Sequence, residues 1–156
     1  MIHLEIPGYG SLTLEHLVLD YNGTLAVDGE VVPGVKSHLT ALSDRLTIHV
    51  VTADTFGKVA AGMDGVPCTV FILPEGDQTE GKRSYVRELG RHRVVAGGNG
   101  RNDRLMVKEA ALGFAVVLEE GAAVETMVSA DLLFRNIIDA LAFLNNPLRM
   151  TATLRS

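Results

Sequence analysis

Short, continuously apolar runs alternate along this chain with stretches in which apolar residues recur at helical spacing. The runs HLVLD (16–20), LTIHVVT (46–52), CTVFIL (68–73), RVVAG (93–97) and FAVVL (114–118) are brief and rich in β-branched residues, as strands covered on both faces are. Between them the periodicity predicts helices over about 34–44, 55–62, 79–90, 102–111 and 122–128, with a last one beginning near Asn136. Strands alternating with helices predict parallel pairing through crossover connections, and so an α/β domain. Two segments depart from this rhythm. LEIPGYGSLTLE sets Gly and Pro between alternating runs and reads as a small hairpin leading into the first core strand. VDGEVVPG, with its Asp-Gly pair, reads as a second hairpin lying over the carboxyl edge of the sheet. No repeat, low-complexity segment or linker interrupts the pattern, so residues 1–156 are expected to form one domain.

Composition narrows the classes of function. With 14 basic against 19 acidic residues the net charge is −5, which offers nothing to nucleic acid or to an anionic membrane. The first residues lack a charged leader with a long apolar run, and no stretch is long and apolar enough to cross a bilayer; a cytoplasmic protein is expected. Cys68, the single cysteine, excludes an internal disulfide and, lying in an apolar run, is expected to be a buried thiol. His3, His16, His38, His49 and His92 show no ligand spacing, which sets zinc aside.

In an open parallel sheet, ligands bind beyond the carboxyl ends of the strands, so the residues following each apolar run carry the chemical information. After the first core strand comes Asp20-Tyr21-Asn22-Gly23-Thr24, and after the second Thr52-Ala53-Asp54. Lys82 stands after a later helix start, and Gly97-Gly98-Asn99-Gly100-Arg101-Asn102-Asp103 closes the fourth strand. A carboxylate such as Asp20 can attack phosphorus if a cation offsets the repulsion between two anions. Gly23 lets the chain turn tightly with backbone N–H groups free for phosphoryl oxygens. The Thr52 hydroxyl suits a hydrogen bond to such an oxygen, and the Lys82 ammonium can neutralise charge on it.

This ordered set resembles the four motifs of the haloacid-dehalogenase-like superfamily, in the form found in the phosphorylation domain of P-type ATPases. The segment GNGRNDRLMVKEAALGFAVVLEEGAAVETMVSADLLF is similar to that domain's GDGxND motif and the elements after it. The resemblance implies a three-layer Rossmann-like domain with a mainly parallel central sheet and a flap hairpin after the first core strand. It implies a phosphatase or phosphotransferase acting through an aspartyl phosphate on Asp20, with Asn22, Thr52 and Lys82 as the other catalytic positions. Mg²⁺ would be held by Asp20, the backbone carbonyl of Asn22, Asn99 and Asp103. Phosphate would be cradled by Tyr21, Gly23, Thr24, Thr52, Ala53, Lys82 and Asn102, and the substrate would be a phosphorylated small molecule or a phosphoprotein.

Two positions depart from the family pattern. Asn22 stands where an acid normally serves the leaving group, and an amide transfers no proton; hydrolysis of alkyl phosphates should lose roughly two to four powers of ten. Asn99 replaces the first acid of the fourth motif, which leaves fewer anionic ligands for a hard cation. These losses favour a substrate with a good leaving group, and they also define the rival reading, a catalytically silent phosphate-binding or regulatory module of the same fold. A receiver domain is disfavoured because LVLDYNG carries one acid where an acidic cluster is needed.

The spans Thr24 to Thr52 and Thr52 to Lys82 are filled by the elements already assigned and leave no room for a cap or a nucleotide-binding domain. Water exclusion would then fall to the flap, to a large substrate or to a second copy in a homo-oligomer. In NIIDALAFLNNPLRM, Ile137, Ile138, Leu141 and Leu144 recur at helical spacing and are expected in the core, with Pro147 opening a fresh helix. Lys82, Arg83, Arg87, Arg91 and Arg93 gather in one run that reads as a solvated helix face.

Overall fold

The computed structural model describes every residue of the chain except Thr55. An antiparallel hairpin, β1 (Ile2–Ile6) and β2 (Gly10–Leu14), leads into the first core strand, β3 (His16–Leu19). The flap follows as β4 (Ala26–Val27) and β5 (Glu30–Val31), joined by Asp28 and Gly29 at φ 52° and 82°. Two successive left-handed residues make the tight turn whose twist matches paired strands, which is why the Asp-Gly pair was informative. The chain continues through α1 (Val35–Leu42), β6 (Thr47–Thr52), α2 (Val59–Gly62), β7 (Cys68–Ile72), α3 (Gln78–Glu88) and β8 (Val94–Gly98). It ends with α4 (Arg104–Glu109), β9 (Leu112–Val116), α5 (Val124–Ser129), β10 (Leu132–Phe134), α6 (Ile137–Leu144) and α7 (Pro147–Leu154).

Six strands form one parallel sheet in the order β10-β9-β8-β3-β6-β7. Its two faces build two cores. Leu17 and Leu19 of β3 and Val95 of β8 point to one side, where α1, α6, α7 and the first hairpin bury Leu39, Leu42, Leu141 and Met150. Val18, Val94 and Ala96 point to the other, against Val86 of α3 and Met106 and Val107 of α4. Period-two alternation of uniformly apolar strands therefore produces the three layers. β3 lies inside the sheet with β8 and β6 on its flanks, so Asp20, the next residue, emerges near the middle of the carboxyl edge.

Several details differ from expectation. β9 begins two residues earlier than FAVVL suggested, because Leu112 and Gly113 already pair with Val95 and Ala96. β10 had no strong apolar run to announce it. β7 is an edge strand, so Phe71 and Ile72 are exposed and Cys68 is only partly buried, not the enclosed thiol expected from its run. α2 is one short turn, and the first residue of the helix expected there, Thr55, lies outside the described residues. Ile137, Leu141 and Leu144 are buried while Ile138 is half-buried, and Pro147 does open α7. Among the described residues, no helix is long and apolar enough to cross a membrane.

Candidate active site

Three charged side chains meet beyond the end of β3. Lys82, on the second turn of α3, places Nζ 2.6 Å from Asp20 Oδ1 and 2.6 Å from Asp103 Oδ1. None of the three is more than 6 % exposed. α3 is started where this requires by Asp77, whose carboxylate accepts the amides of Thr79 and Glu80 at 3.0 and 3.2 Å, the usual way of satisfying the free donors of a first turn. Asp103 is oriented by its own loop, since Oδ2 accepts the backbone N–H groups of Asn99 and Gly100 at 3.0 and 2.8 Å. Gly98 is required beside it, because a β-carbon there would lie 2.4 Å from the Asp103 carboxyl carbon.

Two carboxylates on one ammonium leave the buried cluster short of positive charge. The Asp20 carboxyl is accordingly pushed up to about 6, first by burial and then by the neighbouring Asp103, against the opposing pull of Lys82. Burial alone would lower the Lys82 ammonium, but Asp103 and Asp20 outweigh it and hold it well above the ordinary lysine range. A further cation would relieve this imbalance.

The remaining sequence-predicted residues fall into two groups. Thr24 belongs with the charged cluster, its hydroxyl lying 3.3 Å from Asp20 Oδ2 and 3.2 Å from Asn99 Oδ1. Asn99 packs against the turn at Gly23, whose φ of +80° and lack of a side chain leave room for the amide. The turn closes on itself, with the Gly23 and Thr24 amides donating to Ala26 O and Tyr21 O at 2.7 and 3.2 Å, so these N–H groups are not free for phosphoryl oxygens as expected. Asn99 also donates through Nδ2 to Gly121 O at 3.0 Å. Asn22 buries its Oδ1 without any hydrogen-bond partner among the described residues. Thr52 closes the neighbouring strand and is buried, and its oxygen accepts the Asp54 amide at 2.9 Å, which leaves the hydroxyl proton for another acceptor. Ala53 follows it, half-buried.

Two residues assigned to the cradle have other side-chain partners. Tyr21 is fully buried and its hydroxyl donates to Gly29 O at 3.0 Å, so the ring anchors the flap and only its backbone amide reaches the Asp20 carboxylate. Asn102 donates to Gln78 Oε1 at 2.9 Å and ties its loop to the start of α3. The basic run faces solvent except for the buried Lys82, and its arginines are held in ion pairs. Arg83, Arg87 and Arg91 converge on Glu109, and Arg93 pairs with Glu15, at the amino end of β8 and so away from the Asp20 edge.

Sequence reasoning missed three supports. Asp54, at φ 52°, accepts the amides of Lys58 and Val59 at 2.9 and 3.0 Å and so shapes the turn after Thr52; an Asp two residues past a strand end was the available signal. Thr126, fully buried on α5, donates to Gly100 O at 2.6 Å and steadies the Asn99 loop. The flap is pinned at its tip by the Lys58–Glu30 pair at 2.5 Å and by the Asp28 amide on Glu120 at 3.2 Å. Neither of these last two contacts had a local pattern to announce it.

No protein-family model matches the chain. It is 38 % identical over 84 residues, 51 % of this chain and 90 % of the relative, to Uncharacterized protein MJ0073 of Methanocaldococcus jannaschii. A second protein of that organism, Uncharacterized protein MJ0072, is 49 % identical over 39 residues, 25 % of this chain and 89 % of the relative. Among solved structures, the 3-deoxy-D-manno-octulosonate 8-phosphate phosphatase of Moraxella catarrhalis, in complex with magnesium, phosphate and KDO, superposes with a TM-score of 0.70 at 15 % identity, covering 91 % of this chain and 94 % of that one. The cobalt-bound deoxy-D-mannose-octulosonate 8-phosphate phosphatase from Haemophilus influenzae gives 0.71 at 10 % identity, covering 92 % and 94 %. A phosphoserine phosphatase in its apo form gives 0.68 at 13 % identity, covering 84 % and 99 %. The fold is therefore haloacid-dehalogenase-like, with a mainly parallel central sheet, and it takes in nearly the whole chain.

Proposed function

Taking as premise that this chain belongs to the family of Uncharacterized protein MJ0073 and folds as haloacid-dehalogenase-like phosphatases do, we propose that it is a divalent-metal-dependent phosphatase or phosphotransferase acting through an aspartyl phosphate on Asp20. One observation carries this reading: the buried Asp20 carboxylate shares the Lys82 ammonium with Asp103 at 2.6 Å each. A salt bridge with one acid in excess is a poor way to stabilise a fold. It is a sound way to keep an anionic nucleophile near a place for positive charge.

The residues fit magnesium. Asp20, the Asn22 carbonyl, Asn99 and Asp103 would supply oxygen donors, the kind a hard cation takes. The unpartnered Oδ1 of Asn22 and the excess carboxylate point the same way. When bound, the ion would offset charge on the phosphoryl oxygens. Fewer carboxylates than usual imply weak binding.

In the first step an Asp20 carboxylate oxygen bonds to phosphorus while the bond to the leaving oxygen breaks and that oxygen keeps the electron pair. Thr24 and Lys82 hold the attacking carboxylate, while the Thr52 proton and the Asn22 amide are the donors for phosphoryl oxygens, since the Gly23 and Thr24 amides are taken by Ala26 O and Tyr21 O at 2.7 and 3.2 Å. Water then displaces phosphate from Asp20 and gives its proton to solvent. Asn22 can neither protonate the leaving group nor deprotonate the water. The substrate is therefore one whose leaving group departs as a stable anion, which is also the chemistry that the likeness to P-type phosphorylation domains implies.

Incubation with acetyl phosphate and Mg²⁺ tests the proposal. The expected product is a hydroxylamine-sensitive label on Asp20, absent from Asp20→Asn, while Asn22→Asp should hydrolyse alkyl phosphates about a hundredfold faster than wild type. Wild-type protein that neither labels nor turns over acetyl phosphate would favour the silent module.

A further inference from the structure

A cleft of about 640 Å³ opens on the same edge of the sheet as Asp20. The flap forms one wall with Val27, Val31 and Val32, and the residues just past β9 and β10 form the other with Val117, Leu118 and Arg135. The flap is common to the cleft and the Asp20 site, since Ala26 bridges to Asn22 while Val27 beside it lines the cleft. β9 lies two strands and β10 three strands from β3, so at the usual strand spacing the far wall stands roughly 10 to 14 Å from Asp20 along the edge. That is the reach of one extended small molecule anchored by its phosphate.

The charges around the cleft are unequal. Glu30 is taken by Lys58, whereas Arg135 forms no ion pair among the described residues. An exposed guanidinium at the end of an apolar wall is complementary to a chain that is apolar along its length and anionic at its tip. Glu119, on the rim and likewise without an ion pair among the described residues, opposes such a tip through like charge.

Resting on the function proposed above, we infer that this cleft receives the leaving group of the substrate, an acyl phosphate whose apolar acyl chain ends in a carboxylate facing Arg135. Attack by Asp20 on phosphorus breaks the bond between phosphorus and the acyl oxygen. The acyl group leaves as a carboxylate that keeps the electron pair and needs no proton, which suits a site with Asn22 in place of an acid. The cleft holds the departing chain by its length and its tip.

Three synthetic substrates read this out: acetyl phosphate, octanoyl phosphate, and the mono-phosphate anhydride of suberic acid, which has the same chain length with a distal carboxylate. Catalytic efficiency is expected to rise about tenfold or more from acetyl to octanoyl, from burial of methylenes. It should rise a further roughly fivefold with the distal carboxylate, from one exposed ion pair. Arg135→Ala should remove the second gain alone, Glu119→Gln should enlarge it, and both variants should leave acetyl phosphate turnover as in wild type. A flat response to chain length, or an Arg135→Ala loss equal on all three substrates, overturns the inference. If acetyl phosphate is not turned over at all, the proposed function has failed, and suberate binding by calorimetry then decides the cleft by itself. Arg135-dependent affinity keeps the cleft assignment, and its absence ends it.

Discussion

The same pair of helices, α3 and α4, is joined by two clusters of charge that are built in opposite proportions. Lys82 reaches inward to two carboxylates, Asp20 and Asp103. Arg83, the next residue, reaches outward with Arg87 and Arg91 to Glu109, at 2.8, 3.1 and 3.0 Å, and also pairs with Glu80 at 3.3 Å, so three guanidiniums face two carboxylates. The inner lysine is wholly buried, while the three arginine side chains are 30 to 53 % exposed. Inside, the excess is negative and water cannot screen it. Outside, the excess is positive and solvent relaxes it. The inner cluster therefore carries more negative than positive charge beside Asp20, and the outer one fastens the helix carrying Lys82 to the helix that begins just after Asp103. The carboxyls respond accordingly: burial and Asp103 drive Asp20 up to about 6, whereas hydrogen bonds from Arg87 and Arg83 bring Glu109 down to about 2.

Removing the cation from the inner cluster should have the largest effect. Lys82→Met leaves Asp20 and Asp103 facing each other without compensation, a change that costs about 3 to 5 kcal/mol when a buried charge loses its partner. Urea unfolding at pH 8 without divalent metal measures it. The loss should shrink at mild acid, because the Asp20 carboxyl then takes up a proton in place of the ammonium. A variant within about 1 kcal/mol of wild type at pH 8 would mean that the two acids do not share an enclosed site.

A change of opposite sign follows for Asp20 itself. Its folded value of about 6 lies above the ordinary 3.8, so the native state holds this proton more tightly than the unfolded chain does. The ionised carboxylate thus carries a stability cost that is complete above about pH 6 to 7 and is relieved as pH falls towards 4. Asp20→Asn should be more stable than wild type at pH 8 by about 2 to 3 kcal/mol, and the advantage should fade by about pH 4. Glu109 works in the other direction: its contribution is present above 4.5 and disappears as pH falls towards about 2. Paired denaturation curves of wild type and Asp20→Asn across this range isolate the first effect from general acid unfolding. If Asp20→Asn is the less stable protein at pH 8, the inner cluster is a structural bridge and not a site kept short of positive charge.

The inner cluster was largely legible in the sequence, and the outer one was not. Asp20, Thr52 and the Asn99 to Asp103 loop each follow a strand whose apolar run fixes its end, so local pattern and the rule about carboxyl edges sufficed to bring them near one another. Lys82 was found by its order relative to them. The Arg83, Arg87, Arg91 spacing showed a single helical face, but its partner, Glu109, comes from another helix and has no local signature. Position in the sheet was equally hidden. CTVFIL has the composition of a central strand, and only the strand order places it at the edge with Phe71 and Ile72 exposed. The hydroxyl of Thr126 on Gly100 O likewise depends on how α5 packs.

The smallest of these effects tests whether the outer cluster is mechanical. Glu109→Gln keeps the shape of the side chain but leaves three guanidiniums around a neutral amide, so attraction between α3 and α4 gives way to repulsion among the arginines. Because those groups are partly in water, the expected loss is about 1 kcal/mol at low salt. It should fall towards zero near 1 M salt, where the screening length is about 3 Å and comparable to the distances involved. The Lys82→Met loss should fall much less, since bulk salt screens buried charges only weakly. A Glu109→Gln loss as large as that of Lys82→Met and equally indifferent to salt would mean that both clusters are enclosed, and that the contrast between an inner deficit and an outer excess of charge has no energetic content.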